Sequence, residues 1–385
     1  MDHLKQTSKS YINKCGDVIR KGDTESFEYI QALKAVSDWR SLHLDPLNKV
    51  RAIIKRRLQT IGVNYLLAQR LKRMHSIIEK LNRFDELELS RMQDIGGLRI
   101  VEPTIDDIKI VHDRLLRKTS TLSLSNEKDY INRDGPKADG YRSVHMIFKY
   151  KNKKHPELTQ YNIEIQIRTQ LQHYWGTTVE TLGMIDKESY KTGKGEFKTK
   201  RFLLLVSALF ALKEKTKIPD ALAKVSPLEI AKEIEDIDNE LNITRKLQGV
   251  VVSIKEKKVN PDDYYYVLEL TVKDDGKSNI KIMSFKVSTD SLAEDFYRFR
   301  EQETQNLKNV SVLMIRSDKF VNIKSEYPNY FLDTQKFIKE LKDIIEKVKE
   351  GKISSREVFP PSLSQHRTCG SAYGVSQTKE MYAFH

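Results

Sequence analysis

The segment from Ile163 to Thr169, Ile-Glu-Ile-Gln-Ile-Arg-Thr, constrains the fold more than any other part of the chain. An isoleucine alternating with a polar residue is a period of two, the period of a β-strand, whose successive side chains point to opposite faces. Ile163, Ile165 and Ile167 share one apolar face, and Glu164, Gln166 and Arg168 form a row on the other. The segment therefore calls for a sheet with one face covered. The polar row has two readings. It is either a solvated strand face, or a carboxylate, an amide and a guanidinium held on a rigid support to meet a metal, a base and a phosphate.

The chain has 385 residues, enough for roughly two to three domains. Hydrophobic residues make up 39%, enough for packed cores, and no run approaches the ~20 apolar residues that a membrane span needs. The longest candidate, Phe202 to Leu212, contains Ser207 and reads as a buried helix. Met1 to Gly16 is polar and lacks the apolar core of a signal peptide. The two cysteines, Cys15 and Cys369, lie near opposite ends. They make neither a disulfide framework nor a zinc site, so a cytoplasmic location is expected. The formal charge of +13 favours polyphosphates, nucleotides or RNA as partners, although a merely Lys-rich protein has the same balance. The charge gathers early, in Lys55-Arg56-Arg57 and Arg70-Leu71-Lys72-Arg73, while acidic residues cluster between Glu229 and Glu240.

Apolar spacing predicts N-terminal helices over residues 1–60, broken at Asp45-Pro46, and a basic helix over 64–83. Leu98 to Val101 reads as a short buried strand, and Ile105 to Leu116 as a helix capped by Thr104. Residues 119–139 are polar, contain Gly135-Pro136 and read as a loop. Val144 to Tyr150 and Tyr161 to Ile167 are strands; Gln170 to Leu182, Phe202 to Lys213 and Leu228 to Leu247 are helices, the last one acidic. After Gly249 strands are predicted at Val250–Ile254, Tyr264–Val272, Ile280–Val287 and Val310–Ile315, with helices at Thr289–Lys308 and Asp333–Lys349. The fold class expected is α+β: a mixed β-sheet flanked by helices, with a second small α+β domain. The divisions are 1–60, 61–215, an acidic connector at 216–248, the second domain at 249–350, and a disordered tail at 351–385.

Three further segments carry chemistry. In Arg70-x-Lys72-Arg73-x-x-Ser76-x-x-x-Lys80, a helix would bring three cations and a hydroxyl to one face. Their mutual repulsion is relieved by a polyphosphate, with Arg making forked contacts and Lys a point charge; otherwise this is an ordinary basic surface helix. Asp94-Ile95-Gly96-Gly97 places a carboxylate before a Gly-Gly turn and a buried strand. Asp94 is then either a cap or a magnesium ligand, with Glu164 as the second carboxylate if the two strands pair. In Lys137-x-Asp139-Gly140-Tyr141-Arg142-Ser143-Val144-His145, Gly140 permits a tight turn that leaves Tyr141 at the head of a strand, either stacked on a base or packed in a core.

In order and spacing these segments, with His173-Tyr174-Trp175, resemble the synthetase domain of the RelA/SpoT family over about residues 40–215. The resemblance implies a nucleotidyltransferase-like fold and a GTP pyrophosphokinase that moves the β,γ-pyrophosphate of ATP to the ribose 3′-hydroxyl of GDP or GTP, giving the alarmones (p)ppGpp and AMP. It implies that Arg70 stacks on adenine, that Lys72, Arg73 and Lys80 hold ATP phosphates with Ser76 beside them, and that Asp94 and Glu164 bind Mg2+. Glu164 also takes the proton of the attacking hydroxyl. Tyr141 would stack on the acceptor base, and Lys137, His145, Gln166 and Arg168 would line the acceptor pocket.

Two departures bear on the acceptor. The loop from Tyr130 to Tyr141 is long, and Asp139 stands where the family often has an amide. Some small relatives are toxins that pyrophosphorylate the tRNA 3′-CCA end, and some of these carry a fused neutralising domain used in phage defence. Trp39-Arg40-x-x-His43 and Gln172-His173-Tyr174-Trp175 resemble such chains. tRNA is then the alternative acceptor, and a protein trigger would act on the C-terminal domain. A catalytically dead nucleotide-binding module is a further alternative, against which both carboxylates and the cations are retained. The pair His112-Asp113 lacks the partners of the family's hydrolase, so no hydrolase is expected. The sequence leaves the oligomeric state open.

Overall fold

The computed structural model describes residues 8–117, 120–151, 161–190, 193–249, 251–256, 263–273, 277–286, 290–304, 309–316 and 334–353, with Leu307, Ile323 and Tyr327. Its centre is one mixed sheet. The strands are β1 (Leu66–Leu71), β2 (Gly96–Glu102), β3 (Leu122–Asp129), β4 (Val144–Tyr150), β5 (Asn162–Thr169), β6 (Val251–Glu256), β7 (Asp263–Val272), β8 (Lys277–Lys286) and β9 (Val310–Arg316). Their spatial order is β3-β4-β5-β2-β1-β9-β7-β8-β6. β2 and β5 run parallel, with Gly97 opposite Glu164. β1 pairs antiparallel with β2, and β4 antiparallel with β5.

The isoleucine face of β5 is buried as its alternation demands: Ile163, Ile165 and Ile167 have no exposed surface. They pack with Leu98 and Ile100 of β2 beneath helix α3 (Leu44–Gln59) and helix α5 (Ile105–Leu116). The preceding helices are α1 (Lys9–Lys21) and α2 (Phe27–Ser41), and α4 (Met74–Arg83) follows β1. Thr104 caps α5 as expected, in a reciprocal capping box with Asp107. Pro46 does not break a helix; it sits in the first turn of α3, where its missing N–H is not needed.

A second layer is helical. α6 (Gln170–Asp186), α7 (Phe197–Lys213), α8 (Pro227–Leu241), α9 (Ile243–Gly249) and α11 (Gln335–Lys349) share one apolar cluster, in which Phe210 meets Phe337 edge-on at 5.7 Å. The remaining helix, α10 (Asp290–Thr304), packs on β9. The C-terminal segment is α+β, and its strands continue the central sheet through the pairing of Arg70 with Ile315.

Three sequence expectations are corrected. Residues 64–83 are not one helix: Leu66–Leu71 is a strand flanked by β2 and β9, and only Met74–Arg83 is helical. Long-range pairing that buries Leu67, Ala68 and Leu71 overrides the local helical pattern. The predicted loop at 119–139 contains β3, whose polar composition is that of an edge strand and whose alternation is blurred by an irregularity between Leu124 and Asn126. The acidic helix at 228–247 is two helices, separated at Asn242, which has a left-handed φ of 53°. The tail from residue 354 onward, with Cys369, lies outside the described residues.

Glu102, at the end of β2, is fully buried, and neither carboxylate oxygen has a hydrogen-bond partner. Burial, with Asp107 nearby, pushes its carboxyl up to about 8. Ionisation therefore penalises the folded state as pH rises from the ordinary carboxylate range through 8. Glu102→Gln should be neutral to stability near pH 4 and stabilising by about 1–3 kcal/mol at pH 8, read from urea unfolding at several pH values.

Candidate active site

The polar row of β5 faces a cavity of about 240 Å3 between the sheet, α4 and α6. Parallel pairing places Asp94, just before β2, at the same end of the sheet as Glu164, and both carboxylates line the cavity. Gly96 and Gly97 form no turn; they are the first residues of β2. A Cβ at Gly96 would lie 2.9 Å from Ile163 Cδ1, so the isoleucine side chain occupies the space that glycine leaves there.

Each carboxylate is held by positive or donating groups. Lys72 Nζ donates to Asp94 Oδ2 at 2.8 Å and Lys80 Nζ to Oδ1 at 3.0 Å. Burial alone would raise the Asp94 carboxyl, but the two ammonium groups outweigh it and hold it well below its usual range. Burial pushes Lys72 down despite its partner. Glu164 Oε1 contacts His145 Nδ1 at 2.8 Å, and Oε2 accepts from Gln166 Nε2 at 2.8 Å. Burial again acts to raise Glu164, and His145 reverses the sign.

The His145 ring continues to Tyr141, whose hydroxyl lies 2.9 Å from Nε2. The imidazole thus bridges the Glu164 carboxylate and the Tyr141 hydroxyl through its two ring nitrogens. Lys137 Nζ sits 5.1 Å above the Tyr141 ring and 4.6 Å above Tyr130. Burial lowers the Lys137 ammonium and raises the Tyr141 phenol. Arg168, at the end of the row, is 4% exposed, and its buried Nε has no partner among the described residues. Burial, then the neighbouring Arg99, brings its guanidinium down to about 9. A Cβ at Gly176 would meet Arg168 Nη1 at 2.9 Å, so the first turns of α6 leave a slot for that guanidinium.

Of the residues expected from the sequence, Arg70, Lys72, Ser76, Lys80, Asp94, Lys137, Tyr141, His145, Glu164, Gln166 and Arg168 line this one cavity. Arg73 does not: Arg73 Nη1 turns to Ser311 Oγ on β9, 2.6 Å away, because residue 73 ends a strand connection rather than lying on a helix face. His43 is structural, wedged edge-on between Trp39 at 4.7 Å and Tyr161 at 4.6 Å. His112 contacts Glu127 at 3.1 Å, away from the cavity. Further residues, among them Arg99, Trp175 and Glu180, line the cavity without having been expected there. Arg99 is legible in principle, since Leu98 and Ile100 are buried and a period of two puts Arg99 on the opposite face.

Such a site, with two carboxylates flanked by cations and a tyrosine over a mixed sheet, has the groups to meet a phosphorylated ligand. Comparison with known sequences agrees. The profile described as the region found in RelA / SpoT proteins matches residues 69–195. GTP pyrophosphokinase YwaC of Bacillus subtilis is 32% identical over 167 residues, which is 40% of this chain and 78% of that protein. GTP pyrophosphokinase YjbM of the same species is 36% identical over 115 residues, 29% of this chain; the match spans about half of that relative, 53%. Among solved structures, small alarmone synthetase 1 from Bacillus subtilis bound to its product pppGpp is 24% identical, with 54% of this chain and 99% of that one covered at a TM-score of 0.38. The chain belongs to the RelA/SpoT family.

Among the described residues no group of three or more His, Cys, Asp or Glu side chains is placed to hold a metal ion. Two carboxylates are nonetheless what magnesium takes from a protein when phosphate oxygens and water complete its shell. Asp94→Ala leaves the buried Lys72 without its counter-charge. It should cost about 1–3 kcal/mol of stability, and inorganic tripolyphosphate should restore part of that in a thermal-shift assay more strongly than in the wild type.

Proposed function

We propose that this chain is a magnesium-dependent pyrophosphokinase that transfers the β,γ-pyrophosphate of ATP to the 3′-hydroxyl of GDP or GTP. The observation that carries this reading is the pair Asp94 and Glu164 in one cavity, with Lys72 and Lys80 on one side and Tyr141, Lys137 and Arg168 on the other. On the donor side Arg70 stacks on adenine, and Lys72, Lys80 and Ser76 meet the phosphates. Both lysines must then exchange Asp94 for phosphate oxygens, so Asp94 stands in for the negative charge that nucleotide binding delivers. Arg73 is left out of the phosphate contacts. On the acceptor side Tyr141 stacks on the base, and Lys137 and Arg168 meet its phosphates.

Glu164 accepts the proton of the 3′-hydroxyl, whose oxygen bonds to the β-phosphorus. The bond from that phosphorus to the α-phosphate oxygen breaks, and AMP leaves. His145 and Gln166 orient the Glu164 carboxylate through their 2.8 Å contacts. Asp94 and Glu164 would hold Mg2+, which when bound neutralises charge on the transferred group. The rest is positioning in a shielded site.

Purified protein with ATP, Mg2+ and GDP or GTP should release AMP and form a 3′-pyrophosphorylated nucleotide. EDTA should stop it, and Glu164→Gln should slow it by about 10²–10⁴-fold with unfolding unchanged. Absence of AMP release with every acceptor contradicts the reading. A tRNA 3′ terminus offers the same hydroxyl, and label arriving on tRNA instead of guanine nucleotide assigns the chain to the toxin-type branch.

One contact favours a restraining role for the C-terminal segment. Tyr327 hydroxyl accepts from Gln69 N at 2.8 Å and donates to Gln69 O at 2.5 Å, beside Arg70. Tyr327 also closes a small cavity shared with Arg70, Asp94, Arg99 and Glu164. We infer that it holds the donor side shut. Tyr327→Ala should raise AMP release severalfold at low ATP, and an unchanged or lower rate contradicts this.

A further inference from the structure

We propose that α7 positions the acceptor side of the site through two residues, Ser207 and Glu214, that clamp the chain on either side of Tyr141. The proposal rests on the reading of Tyr141 and Arg168 as acceptor contacts. Neither Ser207 nor Glu214 reaches the cavity. Seven residues apart, they lie two helical turns from each other, on one face of α7 and its C-terminal cap.

At one end, Ser207 hydroxyl donates to the carbonyl of Gly140. Gly140 has a φ of +92°, and a Cβ there would lie 2.9 Å from Ser207 Cβ and 3.4 Å from Leu204 Cα, so the turn is pressed directly onto the helix. At the other end, the Glu214 carboxylate accepts from Arg142 Nη1 at 2.6 Å and from Gln172 Nε2 at 3.1 Å, and its second oxygen accepts from the Thr169 hydroxyl. Arg142 Nη1 also donates to Thr216 Oγ1 at 3.1 Å. Gly140 and Arg142 are the two neighbours of Tyr141, and Thr169 is the neighbour of Arg168 and the cap of α6.

The clamp is dry: Arg142 is 3% exposed, Thr169 1%, Gln172 2% and Ser207 1%. A buried ion pair is a weak stabiliser, but removing one partner leaves a charge that has to move. Here the part free to move is the turn that carries Tyr141, together with the strand end that carries Arg168. The donor residues Lys72, Ser76 and Lys80 lie on a different connection, and none contacts Glu214 or Ser207 among the interactions described. Loss of the clamp should therefore separate acceptor from donor.

The test is steady-state kinetics of Glu214→Gln and Ser207→Ala with the acceptor that the wild type uses, alongside the dissociation constant of a non-hydrolysable ATP analogue. Glu214→Gln should raise the acceptor KM about tenfold or more and Ser207→Ala severalfold, with ATP-analogue binding within twofold of wild type. A merely structural role would lower the melting temperature and weaken donor and acceptor alike. The proposal is overturned by an active wild type whose acceptor KM is unmoved in both variants, or by donor affinity falling in step. Should Glu214→Gln fail to fold, the acceptor KM of Ser207→Ala decides alone. A wild type silent with every acceptor defeats the pyrophosphokinase reading instead; the clamp is then judged by binding of a fluorescent GDP analogue, weaker in both variants if it holds and unchanged if it does not.

Discussion

The parallel pairing of β2 with β5 is the constraint on which the site depends. It sets Gly97 opposite Glu164, and so brings Asp94, two residues before β2, to the end of the sheet where Glu164 stands. A one-residue slip would turn Glu164, Gln166 and Arg168 into the core and the isoleucines outward. That slip is opposed by the full burial of Ile163, Ile165 and Ile167 under α3 and α5, and by the space at Gly96 that the Ile163 side chain fills. Packing on one face of the sheet thus fixes the chemistry on the other.

The second constraint is electrostatic. Two carboxylates facing one cavity repel, and Asp94 acts to raise Glu164. The fold answers with local partners: Lys72 and Lys80 for Asp94, His145 and Gln166 for Glu164. These keep both acids ionised in a partly desolvated place. Arg99 and Arg168, each with a buried Nε that has no partner among the described residues, leave the far end of the polar row short of negative charge. The cavity is balanced around its two carboxylates and electropositive at the two arginines.

The membership of the cavity is more legible in the sequence than the local structure around it. The β5 alternation is unambiguous because a half-buried strand has no other way to satisfy its isoleucines. The residues of the cavity follow from motif order, which survives errors in secondary structure: Arg70 is expected on a helix and lies on a strand, yet still lines the cavity. Arg73 is misplaced for the same reason, since its direction depends on helical spacing that begins only at Met74. β1 and β3 are hidden because their strand character comes from partners far along the chain rather than from their own composition. The clamp at Glu214 is invisible because it joins residues 142, 169 and 214 through tertiary packing alone.

In the proposed reaction the two carboxylates serve transfer of a pyrophosphate unit rather than a single phosphate. This is tested most directly by running the reaction with ATP labelled separately at the β and γ phosphorus. The account predicts that both labels reach the acceptor in equal amounts with AMP as the only nucleotide left behind. Transfer of the γ label alone, with ADP accumulating, would contradict it.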